Sequence, residues 1–211
     1  HGVGQDQAVG QTVHVGDHRG GLLTLLLLGG HGVERRSSPE DTEHLEAGDA
    51  VGGEDPSLDD SGWRSLDLPH DWSIEGEFRE DHPSGGGGGY LPGGVGWYRK
   101  AWIMPESARS RTTVIEFDGV YKNCDVWLNG VHLGFHPYGY TSFHYDLTPF
   151  LHYGDKLNVL AVRVDDSTQP DARWYSGAGI YRHVWLTVTD PLHVGVWGTY
   201  IRTAKMNNTI T

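Results

Sequence analysis

The 211-residue chain has little of several features that define common protein classes. It contains one cysteine, Cys124, which excludes an internal disulfide framework and a cysteine-based zinc site. Lys and Arg number 16 against 28 Asp and Glu, and the resulting net charge of −12 argues against nucleic acid as a partner. No apolar run reaches the roughly 20 residues that a membrane-spanning helix needs. We expect a soluble chain with no membrane partner, and its compartment is left open between the bacterial cytoplasm and export.

The first 45 residues differ in texture from the rest of the chain. They are rich in Gly, Val, His and Gln, and a leucine-rich run at 22–28 interrupts them. This run is too short to cross a bilayer, and the charged residues Glu34, Arg35 and Arg36 follow it instead of a small-residue cleavage pattern. We predict a poorly ordered or aberrant leader over residues 1–45.

From residue 46 onward, short aromatic-rich segments are separated by turn residues. The clearest signal is Asn129-Gly130 between segments 125–128 and 131–135, because Asn-Gly fits the type I′ turn of a β-hairpin. Further strand patterns cover residues 97–103, 112–117, 142–147, 157–164 and 184–188. The sequence therefore predicts an all-β fold, a jelly-roll β-sandwich over residues 46–190. Alternation resumes after residue 191, and we interpret residues 191–211 as the start of a second β domain.

Several motifs that suggest chemistry are better explained by structure. The glycine run 85–89 lacks the Lys and the helix start of a phosphate-binding loop, so we predict a surface loop. His132 and His136 lie along one strand of the predicted hairpin, where a four-residue spacing does not form a metal-binding pair. We predict no metal and no cofactor.

Residues 162–185 carry an unusual density of polar and aromatic groups. Asp165 and Asp166 end a predicted central strand, and the loop after them presents Arg173, Trp174 and Tyr175. Carboxylates and guanidinium groups bind sugar hydroxyls, while flat aromatic rings cover the apolar side of a pyranose. Two interpretations stay open, a sugar-binding site or a buried ion pair of Arg173 with the acids that fixes the loop.

The order and spacing of six segments resemble the N-terminal sugar-binding domain of glycoside hydrolase family 2, and within it the β-galactosidases. The segments are EDPSLDDSGWR at 54–64, LPHDWSIEG at 68–76, GGVGWYRK at 93–100, FDGV at 117–120, VWLNG at 126–130 and RWYSGAGIYR at 173–182. The family usually opens with a strand containing Trp and Phe just before Gly48, where this chain has residues 43–46, EHLE.

The resemblance implies a galactose-binding-domain-like jelly roll, then an immunoglobulin-like domain, then a (β/α)₈ barrel with the two catalytic Glu residues of a retaining mechanism. A barrel needs about 250 residues, which is more than this chain holds. We therefore assign no catalytic residue, expect residues 1–211 alone to be inactive, and expect residues 191–211 to begin a truncated immunoglobulin-like domain. The expected partners are a β-galactoside-type carbohydrate and the downstream domains of the same polypeptide, and oligomerisation of the full-length enzyme is left open.

The resemblance also implies a set of residues at the substrate edge. An acid that matches Asp165 or Asp166 is expected to contact the galactosyl group. Arg173 and Trp174 are candidates for sugar contact or for support of the loop. His70 and Asp71 could line the same edge, with a packing role as the alternative.

Two other functions compete with a β-galactosidase-like domain. One is a free-standing, lectin-like carbohydrate-binding module. The other is the equivalent domain of a β-glucuronidase or β-mannosidase, although the segment at 173–177 looks more like the β-galactosidases.

Overall fold

The computed structural model describes residues 11–16, 22–28, 43–169 and 177–203, which form a sandwich of two β-sheets. The first sheet has the strand order β1 (Gln11–Gly16), β2 (Leu22–Leu28), β11 (Val184–Thr189), β6 (Thr112–Phe117) and β9 (Phe143–Asp146). The second has the order β4 (Arg64–Leu66), β3 (Glu43–Ala47), β5 (Gly94–Ile103), β10 (Leu157–Asp166), β7 (Cys124–Leu128) and β8 (Val131–His136). Within the described ranges there is no α-helix, and short 3₁₀ turns lie at Ser73–Glu75, Gly86–Gly88, Glu106–Ala108 and Thr148–Phe150.

The predicted all-β sandwich is confirmed. Neighbouring strands are antiparallel, except where β11 meets β2 in a short parallel contact. At the predicted hairpin, Asn129 and Gly130 have φ angles of 54° and 80°, as a type I′ turn requires. The Asn129 side chain also accepts a hydrogen bond from the backbone N–H of Val159 at 2.8 Å, so the turn is tied to the neighbouring strand β10.

The core lies between the two sheets. Val162 and Val164 of β10 point into it, and they meet residues of the opposite sheet such as Phe117, which is fully buried. The rings of Phe117 and Phe143 stack within the first sheet, with centroids 4.8 Å apart.

The outer face of the second sheet is also covered, which explains why β10 is apolar on both faces. Arg99 of β5 is 3% exposed and points away from the core into the loop 48–63. Its guanidinium donates to the carbonyl oxygens of Gly53 and Asp55 and pairs with Asp60 at 3.1 Å. A buried guanidinium with several acceptors holds the loop against the sheet.

Observed strands begin and end near the predicted domain boundaries, but the structure does not test those boundaries. Strand β3 starts at Glu43, in the segment where the family usually has its first strand. Parts of the predicted leader, residues 11–16 and 22–28, form β1 and β2, whereas 1–10, 17–21 and 29–42 lie outside the described residues. Residues 190–203 contain no strand, and 204–211 lie outside the described part, so the second β domain stays a prediction.

We expect Phe117→Ala to lower the free energy of unfolding by about 3–5 kcal/mol, because it leaves a cavity between the sheets and removes the ring that stacks on Phe143. Urea denaturation followed by tryptophan fluorescence measures this loss. Phe78→Ala is the matched control, since the Phe78 side chain is 76% exposed. Equal losses in the two variants would contradict the assignment of Phe117 to the core.

Candidate functional site

Several loops meet at one end of the sandwich, which we call the Asp166 end. Strand β10 ends and β5 begins there, with Asp166 paired to Gly94. Strand β8 ends and β7 begins there as well, with His136 paired to Cys124. The connecting segments at this end are 67–93, 118–123, 137–142 and 167–183, the last of which includes residues 170–176 that lie outside the described part of the chain.

Asp165 and Asp166 lie on opposite faces of β10, because successive side chains of a strand alternate. Asp165 is on the outer face, where its Oδ2 lies 3.2 Å from Arg163. Its Oδ1 accepts from both the N–H and the hydroxyl of Ser167. Burial raises the pKa of Asp165, but the Ser167 hydrogen bonds and the Arg163 charge outweigh it, so the pKa lies below its usual range. Asp165 therefore forms the turn that leaves β10.

Asp166 continues the inner face of β10, beyond Val162 and Val164, at the mouth between the two sheets. Its Oδ1 accepts a hydrogen bond from Gln169 Nε2 at 2.8 Å and lies 3.9 Å from Lys122 Nζ. Its side chain is only about 3% exposed. Gly93 covers it closely, since a Cβ at Gly93 would lie 3.5 Å from Asp166 Oδ2 and 2.6 Å from the Asp166 carbonyl oxygen. The structure thus separates two acids that the sequence could not distinguish.

Asp71 anchors the backbone at Ala178, just after residue 176, through its carboxylate. Its Oδ1 accepts hydrogen bonds from the N–H of Ala178 and the N–H of Ser73, both at 2.9 Å, and from the Ser73 hydroxyl. On either side of Asp71, the backbone N–H of His70 donates to Ile180 and that of Trp72 donates to Ala178. Asp71 thus holds the backbone at this edge, and its predicted place at the substrate edge stays a prediction.

His70 is buried beneath the same segment. Its Nδ1 lies 2.9 Å from the Tyr98 hydroxyl, and its Nε2 lies 3.4 Å from Glu75 Oε1. Glu75 forms a two-pronged pair with Arg64 at 2.5 and 2.8 Å. The Arg64 hydrogen bonds, reinforced by His70, lower the pKa of Glu75 to about 2 despite some desolvation. His70 therefore links the β5 strand to the outer rim of the Asp166 end.

Arg173 and Trp174 lie within residues 170–176, outside the described residues, so their predicted roles stay predictions. The predicted glycine-rich surface loop contains a 3₁₀ turn at Gly86–Gly88. Ser84 holds the base of the loop, since its hydroxyl donates to the Leu91 carbonyl at 2.7 Å. A Cβ at Gly88 would lie 3.9 Å from Gln169 Oε1, so the loop runs beside Asp166, Gln169 and Lys122, which we call the Asp166 cluster.

No pattern in the sequence points to Lys122 or Gln169 as site residues. Lys122 lies two residues before the first residue of β7, and Gln169 carries a neutral side chain in a polar loop. The pairing of β10 with β7 brings Lys122 to Asp166, whereas Gln169 lies three residues after Asp166 in the chain. A conserved loop position would have been the available signal, and a single sequence cannot supply it.

Comparison with known proteins matches this part of the fold to a characterised domain. A family model described as "Glycosyl hydrolases family 2, sugar binding domain" matches residues 91–191. The chain carries the sugar-binding domain of glycoside hydrolase family 2. That span includes β5, β10 and β11 and most of the Asp166 end, but not residues 67–90 of its first connecting segment.

Several family 2 relatives are similar to the chain over most of its length. A β-galactosidase of Bacteroides ovatus is 58% identical over 160 residues, which are 76% of this chain and 19% of that protein. A putative β-glucuronidase of Formosa agariphila is 47% identical over 150 residues, 71% of this chain and 14% of that protein. A family 2 structure from Bacteroides cellulosilyticus superposes with a TM-score of 0.75 at 41% identity, covering 82% of this chain and 23% of the other.

The chain thus spans about a fifth of the length of the relatives that it matches. Among the described residues, no cluster of three or more His, Cys, Asp or Glu side chains is arranged to hold a metal ion. None of the helices in the described ranges has the length and apolar character to cross a bilayer.

We expect Asp71→Ala to reduce the free energy of unfolding by about 1–3 kcal/mol, because it leaves the N–H groups of Ala178 and Ser73 without their acceptor. Hydrogen exchange at the Ala178 amide should speed up more than exchange at core amides. Asp71→Asn keeps an acceptor oxygen and should lose less. Unchanged exchange at Ala178 in the alanine variant would contradict this anchoring role.

The Glu75 pair predicts a modest dependence of stability on acid. Because the pKa of Glu75 is about 2 in the folded chain, against an ordinary value of 4.5, its contribution is complete above pH 4.5 and declines as the pH falls toward 2. Glu75→Gln should lack that decline. The difference in unfolding free energy between wild type and variant should stay under about 1 kcal/mol, since the pair is partly exposed. A difference that grows as the pH falls would contradict the sign.

Proposed function

We propose that the chain supplies the sugar-contacting domain of a β-galactosidase-like family 2 glycoside hydrolase, and that Asp166 is the carboxylate that meets the sugar. The catalytic barrel and its two Glu residues would then lie outside residues 1–211. The β-galactosidase relative from Bacteroides ovatus supports the choice of enzyme class.

The single observation that carries the proposal is the position of Asp166. It sits at the mouth between the sheets, where loops from both sheets meet, and Asp165 instead turns outward to Arg163. Gln169 and Lys122 both approach Oδ1 of Asp166, which orients the carboxylate. An oriented carboxylate accepts hydrogen bonds from hydroxyl groups, and two neighbouring hydroxyls of a pyranose can both donate to the same carboxylate.

Because Asp166 is almost fully buried, we expect only its carboxylate oxygens to contact a sugar hydroxyl. The proposal requires the Gly93 or Gln169 segment to move so that a hydroxyl group can reach an oxygen of Asp166. The hydrogen bond would form in a poorly solvated place, where a charged acceptor contributes more than it does in water.

A β-glucuronidase-like domain is the second candidate. The similarity to the putative β-glucuronidase of Formosa agariphila favours it, and so does Lys122, whose ammonium group beside Asp166 could meet the carboxylate of a uronic acid. A free-standing carbohydrate-binding module is the third, and it would bind sugar without taking part in hydrolysis.

The first test uses activity. We expect residues 1–211 alone to give no turnover of a chromogenic β-galactoside. We expect turnover of the same β-galactoside by a chimera in which residues 1–211 replace the matching segment of the Bacteroides ovatus β-galactosidase. A chimera that prefers the β-glucuronide would favour the second candidate. A chimera inactive on both substrates, formed from a chain that binds galactose by itself, would favour the third.

In the active chimera, we expect Asp166→Asn to lower kcat/KM about 10- to 100-fold, as loss of a charge-assisted hydrogen bond does. Asp165→Asn is the matched control, and it should change kcat/KM little because that carboxylate faces Ser167 and Arg163. Equal effects of the two substitutions, or an effect of Asp165→Asn alone, would contradict the role given to Asp166.

A further inference from the structure

Three tyrosine rings form a ladder at the Asp166 end, and we call Tyr121, Tyr140 and Tyr138 the tyrosine ladder. The ring centroids of Tyr121 and Tyr140 are 5.5 Å apart, and those of Tyr140 and Tyr138 are 5.6 Å apart. Each pair meets edge to face, at 70° and 67°. The exposed fraction of the side chain rises along the ladder: Tyr121 is buried, Tyr140 is 38% exposed and Tyr138 is 56% exposed.

The loop that carries the two outer rings is held firmly by its backbone. The Tyr181 hydroxyl donates to the Gly139 carbonyl at 2.7 Å, and the Asn123 N–H donates to the Pro137 carbonyl. Gly139 itself lies flat on the Tyr121 ring, where a Cβ would come within 2.1 Å of a ring carbon. A loop fixed in this way presents its aromatic rings without a further cost of ordering when a ligand binds.

The tyrosine ladder is continuous with the Asp166 cluster. Lys122 follows Tyr121 in the chain, and its Nζ lies 5.8 Å from the centre of the Tyr121 ring and 3.9 Å from Asp166 Oδ1. The loop 137–142 leaves β8 at His136, at the end of the sheet where β10 reaches Asp166. The tyrosine ladder and Asp166 therefore lie at the same end of the sandwich, and Lys122 contacts both.

The chemistry of the ladder fits a neutral saccharide. An exposed tyrosine ring offers a flat apolar face for the C–H side of a pyranose and a hydroxyl for its polar edge. The net charge of −12 disfavours a polyanionic glycan, since long-range repulsion would oppose its approach.

From this continuity we propose that Tyr138, supported by Tyr140, binds a second or later pyranose ring of a neutral oligosaccharide whose terminal sugar lies at Asp166. This inference rests on the proposed function, because it takes Asp166 as the point where the sugar chain begins. Under this proposal, the domain binds longer saccharides more tightly than it binds a single galactose.

The test compares galactose, β-1,4-galactobiose and β-1,4-galactotetraose in chemical-shift titrations of residues 1–211. We expect the affinity to rise with length and the ring signals of Tyr138 to shift only with the longer saccharides. Tyr138→Ala should lower the affinity for the tetraose about fivefold or more and leave the affinity for galactose unchanged. Tyr138→Phe keeps the aromatic ring and should retain most of the affinity for the tetraose. Tyr200→Ala is the matched control, since that tyrosine is 87% exposed and lies outside the ladder.

The outcomes separate the inference from the proposed function. Galactose binding that depends on Asp166, without any gain from longer saccharides, would overturn the inference and leave the proposed function standing. A gain with length that survives Tyr138→Ala would also overturn it. Absence of binding by all three saccharides in the isolated chain would overturn the inference and leave the proposed function standing, because the chimera tests that function separately. Circular dichroism of each variant would confirm that it is folded.

Discussion

The pairing of β10 on both of its edges is the constraint on which the site depends. Because β5 and β7 flank it, β10 cannot slip by one residue without losing two ladders of hydrogen bonds and turning its valines out of the core. The same register decides which of two adjacent acids faces the mouth of the sandwich. Packing of Val162 and Val164 thus fixes the direction of a side chain that itself contributes nothing to the core.

A second layer of organisation holds the loops around that mouth. The segment at 70–72 pairs through its backbone with the segment at 178–180, and Asp71 adds a side-chain acceptor. His70 and Tyr98 lie beneath this contact and connect it to β5. On the outer face, Arg99 performs a comparable task for the loop 48–63. In both places a buried polar side chain satisfies backbone groups that a loop cannot pair by itself.

Much of the fold could be predicted from the sequence because its signals are local. Asn129-Gly130 specifies a turn by its backbone preferences alone, and the alternating segments around it specify strands. The site was predictable only in part. Asp165 and Asp166 were recognisable as acids at a strand end, but their faces depend on the register with β5 and β7. Lys122 meets Asp166, and Tyr121 meets Tyr140, only through contacts between separate segments. The contact of Gln169 with Asp166 is local, but its residue types do not form a recognisable sequence pattern.

The anchor at 178–180 is made largely through main-chain atoms, since Trp72 and His70 donate to carbonyl oxygens there. These main-chain hydrogen bonds do not depend directly on which side chains the bonded residues carry. Gly179 is the exception, because its φ of 118° and its contact with the Tyr98 hydroxyl leave no room for a side chain. A larger residue at position 179 would therefore push the 178–180 segment away from Tyr98 and weaken both main-chain hydrogen bonds together.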